Sequence, residues 1–430
     1  MNHAASLTHI AAALRSGSQP LLPYIEQMLD QLDAEDGAVQ AFVPEPDRRA
    51  RVLADAQALI DRYPDPASRP LLYGVPVGIK DIFRVDGVPT RAGSAVPPDV
   101  LAAPEAACVS ILKQQGALVL GKTVTAEFAC FQPGPTRNPR NLAHTPGGSS
   151  SGSAAAVAAG FCPLAIGTQT IGSITRPAAF CGIVGFKPSY GRIDPAGVIY
   201  VAPSLDHVGL FTQDVASMQL AASTLCRDWQ PVENPGQPVL GVPDGPYLRQ
   251  ASAEGLAAFE RQVERLQAAG FVVKRVSLLH DIEAMNHRHR ELMAYEMAQT
   301  HQAWFADHAE QYSAATAALI ERGQGISRVA AQADANGQRI ARQQIEAHML
   351  EHGIDVWISP AAVGAAPEGI ESTGDPVMNL PWNHTGQPTI TIPIGVAANG
   401  LPLGLQCSAA FGQDEHLLAW AAVIEDRFPI

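Results

Sequence analysis

The sequence predicts an α/β fold in one domain, and three observations carry that reading. The 430 residues are 47% apolar and only 17% charged, against a usual charged share of about 25%, so the chain has material for a large buried core and not the composition of disorder. Strand-like apolar runs alternate with helical periodicity through the middle of the chain, the pattern of an α/β sheet. No internal repeat or low-complexity linker interrupts it, so a single domain over 1–430 is expected.

The elements follow in order. Residues 1–65 read as N-terminal helices, with apolar positions at helical spacing through LLPYIEQMLDQL and RARVLADAQALI. The core, 70–215, holds the alternation: strand-like PVGIKDIF, a helix through AACVSILKQQG, the strand ALVLG, a helix leaving GGSSSGSAAAVAAG, and the strand PLAIGT. Residues 250–352 are almost wholly helical, broken only by strand-like FVVKRVSLL, and are expected to wall the substrate side. Residues 353–430 return to the sheet through VWISP, TITIPIG and LPLGLQ and end in a helix.

A net charge of −13 repels a phosphate backbone, so no nucleic-acid partner is expected. Six cysteines without a C-x-x-C pair indicate neither a disulfide framework nor a zinc ribbon. The N-terminal stretch MNHAASLTHIAAALRSGS lacks the layout of a secretory signal, which leaves a cytoplasmic chain as the expectation. The emptiest stretch, 141–175, has 35 residues without Asp, Glu, Lys or Arg, but two prolines, six glycines and five serines break it. It reads as tightly turned buried protein and not as a membrane span.

Four patterns match a motif and fail on context. GALVLGKT at 116–123 fits a phosphate loop around Lys122 and Thr123, yet a helix precedes it and Ala-Leu-Val-Leu is a strand, not a glycine-rich loop. Gly148-Ser-Ser-Ser-Gly152 fits a nucleophile elbow at Ser150, but no strand leads in. Ser110 and Lys113 make an S-x-x-K pair inside an ordinary helix. His280, His287, His289, His301 and His308 can share a helical face, but no H-E-x-x-H accompanies them, so no metal site is assigned.

Two serine clusters remain, GGSSSGS at 147–153 and GTQTIGSITRP at 167–177. Glycine-packed turns can aim several backbone N–H groups into one cavity, and Thr170, Ile171, Gly172 and Ser173 are placed to form such an oxyanion hole. A serine there needs a base, and neither cluster contains histidine. Only five of the 29 basic residues are lysine, and one of them, Lys80, lies in the apolar strand PVGIKD. A desolvated lysine can shed its proton and activate a hydroxyl, which a guanidinium cannot do.

These segments, together with LYGVPVGIKDIF, TRAGS, LVLGKTVTAEFA, TRNPRNLAHTPGGSSSGSAAAVAAG, GTQTIGSITRPAAFCGIVGFKPSYGRI, SLDHVG, NHTGQPTITIPIG and GLPLGLQ, resemble the amidase signature family of serine hydrolases nearly end to end. The resemblance implies a large mixed twisted sheet flanked by helices and a Ser–cisSer–Lys triad. Ser173 matches the acylated nucleophile, Ser149 the bridging serine that follows a cis bond to Gly148, and Lys80 the base. Ser150 is implied to be structural, and Ala129 matches a position at the acyl-binding wall. The chain departs from the family at Gln169 and Thr175, where aspartate and arginine are usual, with an arginine moved to Arg176; the double loss reads as a compensated swap. Ile171 replaces a common glycine and narrows the pocket.

The expected activity is therefore cofactor-free and metal-free hydrolysis of a small amide. The same triad serves carbamates (urethanes), ureas and esters, and these stay open as substrates. A reading of another class is an amidotransferase component working with a partner on aminoacyl-tRNA, against which the −13 charge and a short C-terminal half argue. As for assembly, a homodimer is the one partner arrangement the reading allows for.

Overall fold

The computed structural model describes residues 6–428, so the first five residues of the N-terminal stretch lie outside it. Three helices open the chain, α1 (Leu7–Ser16), α2 (Leu21–Val39) and α3 (Arg48–Arg62). The first lies within the expected 1–65 helical stretch but outside the two segments whose spacing marks a helix. It begins where the Ser6 side chain accepts from the His9 N–H and ends at left-handed Gly17.

The core then lays down β1 (Pro76–Lys80), α4 (Ala107–Gln114), β2 (Leu118–Thr123), α5 (Ser151–Ala158), β3 (Leu164–Gln169), α6 (Thr175–Cys181), β4 (Val184–Lys187), β5 (His207–Thr212) and α7 (Val215–Leu225). Next come β6 (Leu240–Asp244), α8 (Ala253–Ala268) and β7 (Val273–Ser277), and a helical run of α9 (Ile282–Thr300), α10 (Gln302–His308), α11 (Ala314–Gln324) and α12 (Arg328–His352). The chain closes with β8 (Val356–Pro360), α13 (Leu380–His384), β9 (Thr389–Val396), β10 (Pro402–Ser408) and α14 (Asp414–Glu425).

All ten strands form one sheet in the order β2-β1-β3-β5-β4-β9-β10-β8-β6-β7. The edges β2-β1-β3 and β8-β6-β7 are parallel and the middle is antiparallel, so the sheet is mixed and the fold is α/β as the sequence predicts. Strands β1 to β5 are buried along their whole length, and β1, β2 and β3 accordingly read as continuous apolar runs, whereas β4 and β5 were not read from the sequence. Among the described residues no helix is long and apolar enough to cross a membrane. All six cysteines are free and buried.

The rejected motifs have plain structural uses. Lys122 lies on buried β2, paired with Asp81 at 2.7 Å and donating to Thr90 at 2.9 Å. Ser110 donates to Glu105 on the flank of α4. His280 and His287 are exposed while His289 and His301 are fully buried, so the histidines do not share a face.

Candidate active site

Parallel pairing of β1 with β3 sets Ile79 beside Ile166, so Lys80, one residue further on, and Thr168, two residues further on, emerge at the same end of the sheet. Ser149 sits just before α5, after a cis Gly148–Ser149 bond, and its carbonyl accepts from the Ala126 N–H at 3.1 Å. Ser173 lies in the turn between β3 and α6. Thus two parallel strand ends and two helix-leading turns converge on one place, the usual position for a site in an α/β sheet.

Lys80 Nζ donates to Ser149 Oγ and to Thr168 Oγ1, each at 2.9 Å. The ammonium is completely buried, and desolvation pulls its pKa from 10.5 to about 7, with the Asp206 carboxylate acting in the opposite sense. Asp206 is itself raised to about 7 by burial, although it accepts from Thr170 Oγ1 and from the Val201 and Ala202 N–H groups. Ser149 and Ser173 line a shared cavity of about 400 Å³ that opens to solvent. Ser173 Oγ has no hydrogen-bond partner among the described residues, which leaves it free toward that cavity.

The turn from 170 to 173 spends almost none of its donors. None of the four N–H groups of Thr170, Ile171, Gly172 and Ser173 finds an acceptor among the described residues, whereas those of Ile174 and Thr175 go to Gln169 Oε1 at 2.8 and 3.0 Å. All four residues line the cavity, as an oxyanion hole requires. Gly172 is there because nothing larger fits: a Cβ would come within 2.3 Å of Asn379 Oδ1. From behind, the Thr170 carbonyl accepts from His289 Nε2 at 3.0 Å and from Asn383 Nδ2.

The remaining expected residues are placed as follows. Ser150 donates to the Thr168 carbonyl at 3.1 Å, away from the cavity. Gln169 and Thr175 meet each other, Thr175 Oγ1 donating to Gln169 Oε1 at 3.1 Å, so a neutral pair stands where the family usually has a charged one. Ala129 lines the cavity next to Cys130 and Phe131. Arg176, expected as a structural support, reaches the cavity wall and donates to the Gly148 carbonyl at 2.7 Å.

The substrate wall differs from the sequence reading. The helical segment gives the cavity only Met293 among the described residues, while Thr373, Gly374 and Pro376 come from the loop between β8 and α13. The helices are instead tied to the wall indirectly. Glu127 accepts from the Ser313 N–H at 3.0 Å, and Phe128 stacks on Tyr312 at 4.8 Å between ring centroids, beside Ala129. Asp206, Asn383 and Thr373 are thus site residues the sequence reading did not name, and His289 was named only in the rejected histidine pattern; Asp206 and Asn383 had a signal, inside SLDHVG and NHTGQPTITIPIG.

Comparison with known proteins identifies the family and the fold. The sequence model of a family described as Amidase matches residues 24–418. Curated relatives include the A subunit of glutamyl-tRNA(Gln) amidotransferase from Koribacter versatilis, 30% identical with 93% of each chain covered. The protein of the same name from a Synechococcus species is 32% identical with 94% of each chain covered. A crystal structure of an amidase superposes with a TM-score of 0.87 at 30% identity, covering 99% of this chain and 100% of the other. A peptide amidase in complex with the competitive inhibitor chymostatin gives 0.85 at 26% identity, covering 98% and 97%.

Proposed function

Because this chain belongs to the amidase family of enzymes acting on C–N bonds, we propose that it hydrolyses a small amide through an acyl-serine intermediate, with Ser173 as nucleophile, Ser149 as proton relay and Lys80 as base. The observation that carries this reading is the fully buried Lys80 amine, held near neutrality and 2.9 Å from Ser149 Oγ, on the wall that Ser149 shares with Ser173.

Neutral Lys80 takes the Ser149 hydroxyl proton as Ser149 takes that of Ser173, and Ser173 Oγ bonds to the amide carbon. The oxyanion is stabilised by the unspent N–H groups of 170–173. As the tetrahedral intermediate collapses, the proton returns from Lys80 through Ser149 to the departing nitrogen and the C–N bond breaks. Water repeats the sequence on the acyl-serine, releases the acid and restores Ser173. Carbamates, ureas and esters follow the same course, with a different leaving group.

A second reading comes from the curated relatives, which carry the name of an amidotransferase component. In that case the chain works only together with a partner protein. The isolated chain is the test: it should release amine from small amides, carbamates or ureas, or alcohol from esters, and a fluorophosphonate should label Ser173. Ser173→Ala should lose both. Full turnover by that variant refutes the mechanism, and turnover only with a co-purified partner selects the second reading.

A further inference from the structure

Arg176 is the only charged side chain on the wall of the cavity among the described residues, and its guanidinium is half used. Nη2 donates to the Gly148 carbonyl at 2.7 Å and to Thr373 Oγ1 at 3.1 Å. Nε and Nη1 are buried without a partner, and the residue is 3% exposed. The carboxylate that acts on it, Asp375, belongs to an exposed residue, does so only through space, and accepts from the Val377 N–H at 3.1 Å. Burial lowers the pKa of Arg176 only to about 10, so the group stays a cation at neutral pH.

Such a group is costly as it stands. A buried cation needs a bonded opposite charge and its donors need acceptors; here the acting carboxylate is exposed and makes no bond to it, and two of its three nitrogens lack an acceptor beside the nucleophile. The rest of the wall offers no opposite charge: its polar side chains are the hydroxyls of Ser149, Thr170, Ser173 and Thr373, and Ala129, Phe131, Ile171, Val201 and Met293 are apolar. Holding the Gly148 carbonyl accounts for one nitrogen only, and a neutral donor would do that without the desolvation of a charge. The missing anion therefore fits the one component that enters and leaves, the substrate. One guanidinium balances a single negative charge, which matches a carboxylate and not a phosphate dianion.

We propose that the substrate is a short amide bearing a carboxylate, and that Arg176 binds this carboxylate while the amide carbonyl faces Ser173. The proposal rests on the amide-hydrolase reading for its substrate, and it assigns Arg176 a specificity role that the family resemblance did not supply. Monoamides of short dicarboxylic acids are the simplest members of the class.

The experiment uses succinic acid monoamide and butanamide, which differ by a carboxylate in place of a methyl group. Calorimetry on Ser173→Ala, which binds without turnover, should show the carboxylate form binding about 10–100-fold tighter, the worth of hydrogen bonds to a charged group. Adding Arg176→Gln should bring the ratio within threefold; Arg176→Lys, which keeps the charge, should retain part of it and serves if the glutamine variant does not fold. Equal binding of the two amides by Ser173→Ala overturns the proposal, as does a preference that survives Arg176→Gln. If wild type turns over neutral amides and labels at Ser173 without favouring the carboxylate form, the proposal fails while the hydrolase reading stands. Full turnover by Ser173→Ala is the opposite case: the nucleophile assignment fails, and the kcat/KM ratio of the two amides with and without Arg176→Gln then decides the role of Arg176.

Discussion

The dependence of rate on pH tests the lysine mechanism most directly. Desolvation brings Lys80 from 10.5 to about 7, a bias of roughly 5 kcal/mol against the ammonium at 1.36 kcal/mol per tenfold change. At pH 7 about half the molecules then carry a neutral base, whereas an ordinary lysine would be neutral in about 3 molecules per 10,000. With a neutral amide as substrate, kcat/KM should rise tenfold per pH unit below about 7 and level off above it, leaving about 1% of the plateau at pH 5. The assay is amine release from butanamide between pH 5 and 10, with enzyme stability checked at each pH. Lys80→Arg should lose at least ~10³-fold at every pH, because a guanidinium does not deprotonate in this range. A profile flat from pH 6 to 9, or one still climbing at pH 9 toward an inflection near 10, would refute a base neutralised by burial.

Three further outcomes follow from the geometry. Asp206→Asn removes the carboxylate that holds the Lys80 pKa up, so the acid limb should move to lower pH, with a plateau about 10-fold lower because Thr170 loses a charged acceptor; an unmoved limb counts against the coupling. Gly172→Ala forces a Cβ to within 2.3 Å of Asn379 Oδ1, and the shifted turn should cost kcat about 100-fold, read from steady-state kinetics, with near-normal kcat contradicting the oxyanion assignment. Lys122→Met strands the buried Asp81 carboxylate, 2.7 Å from its partner, and should cost about 3–5 kcal/mol in urea unfolding; adding Asp81→Asn should recover most of it, and a loss under 1 kcal/mol would count against the pair.

What the sequence made legible was local. Lys80, Ser149 and the turn at 170–173 each lie inside a short run whose composition states its use: a lysine in an apolar strand, and serines in glycine turns without charge. The strands of the core were legible because each is buried on both faces and reads as one apolar run. Helix α1 was not, since LTHIAAALRS is short and its register emerges only when Leu7, Ile10, Ala11 and Leu14 are seen packed inward. The supports of the site were hidden for another reason. His289 reaches Thr170 across 119 residues of chain, Asn383 across 213, and Thr373 meets Arg176 across 197. No periodicity or spacing encodes such pairs, because only the fold brings them together. The expectation that the 250–352 helices wall the pocket failed in the same way, the loop at 373–376 being placed by the return of the chain to the sheet.

Those hidden supports converge on a single residue. Thr170 is gripped at its hydroxyl by Asp206 and at its carbonyl by His289 and Asn383, which come from the core, the helical segment and the C-terminal part in turn. Because the Thr170 carbonyl shares a peptide plane with the Ile171 N–H, these contacts fix that N–H, so in the proposed mechanism the oxyanion turn is held by groups that never touch the reacting atoms. Burial keeps His289 well below its ordinary pKa, so it remains a neutral donor to Thr170 and adds no positive charge near Lys80. Asp206 alone takes part in both halves of the site, since it grips Thr170 and also acts on Lys80 through space. Two groups that both titrate near 7 in one dry pocket lose their protons as a pair. The acid limb of the rate profile therefore reports an apparent value that belongs to the Lys80–Asp206 pair and not to either residue alone.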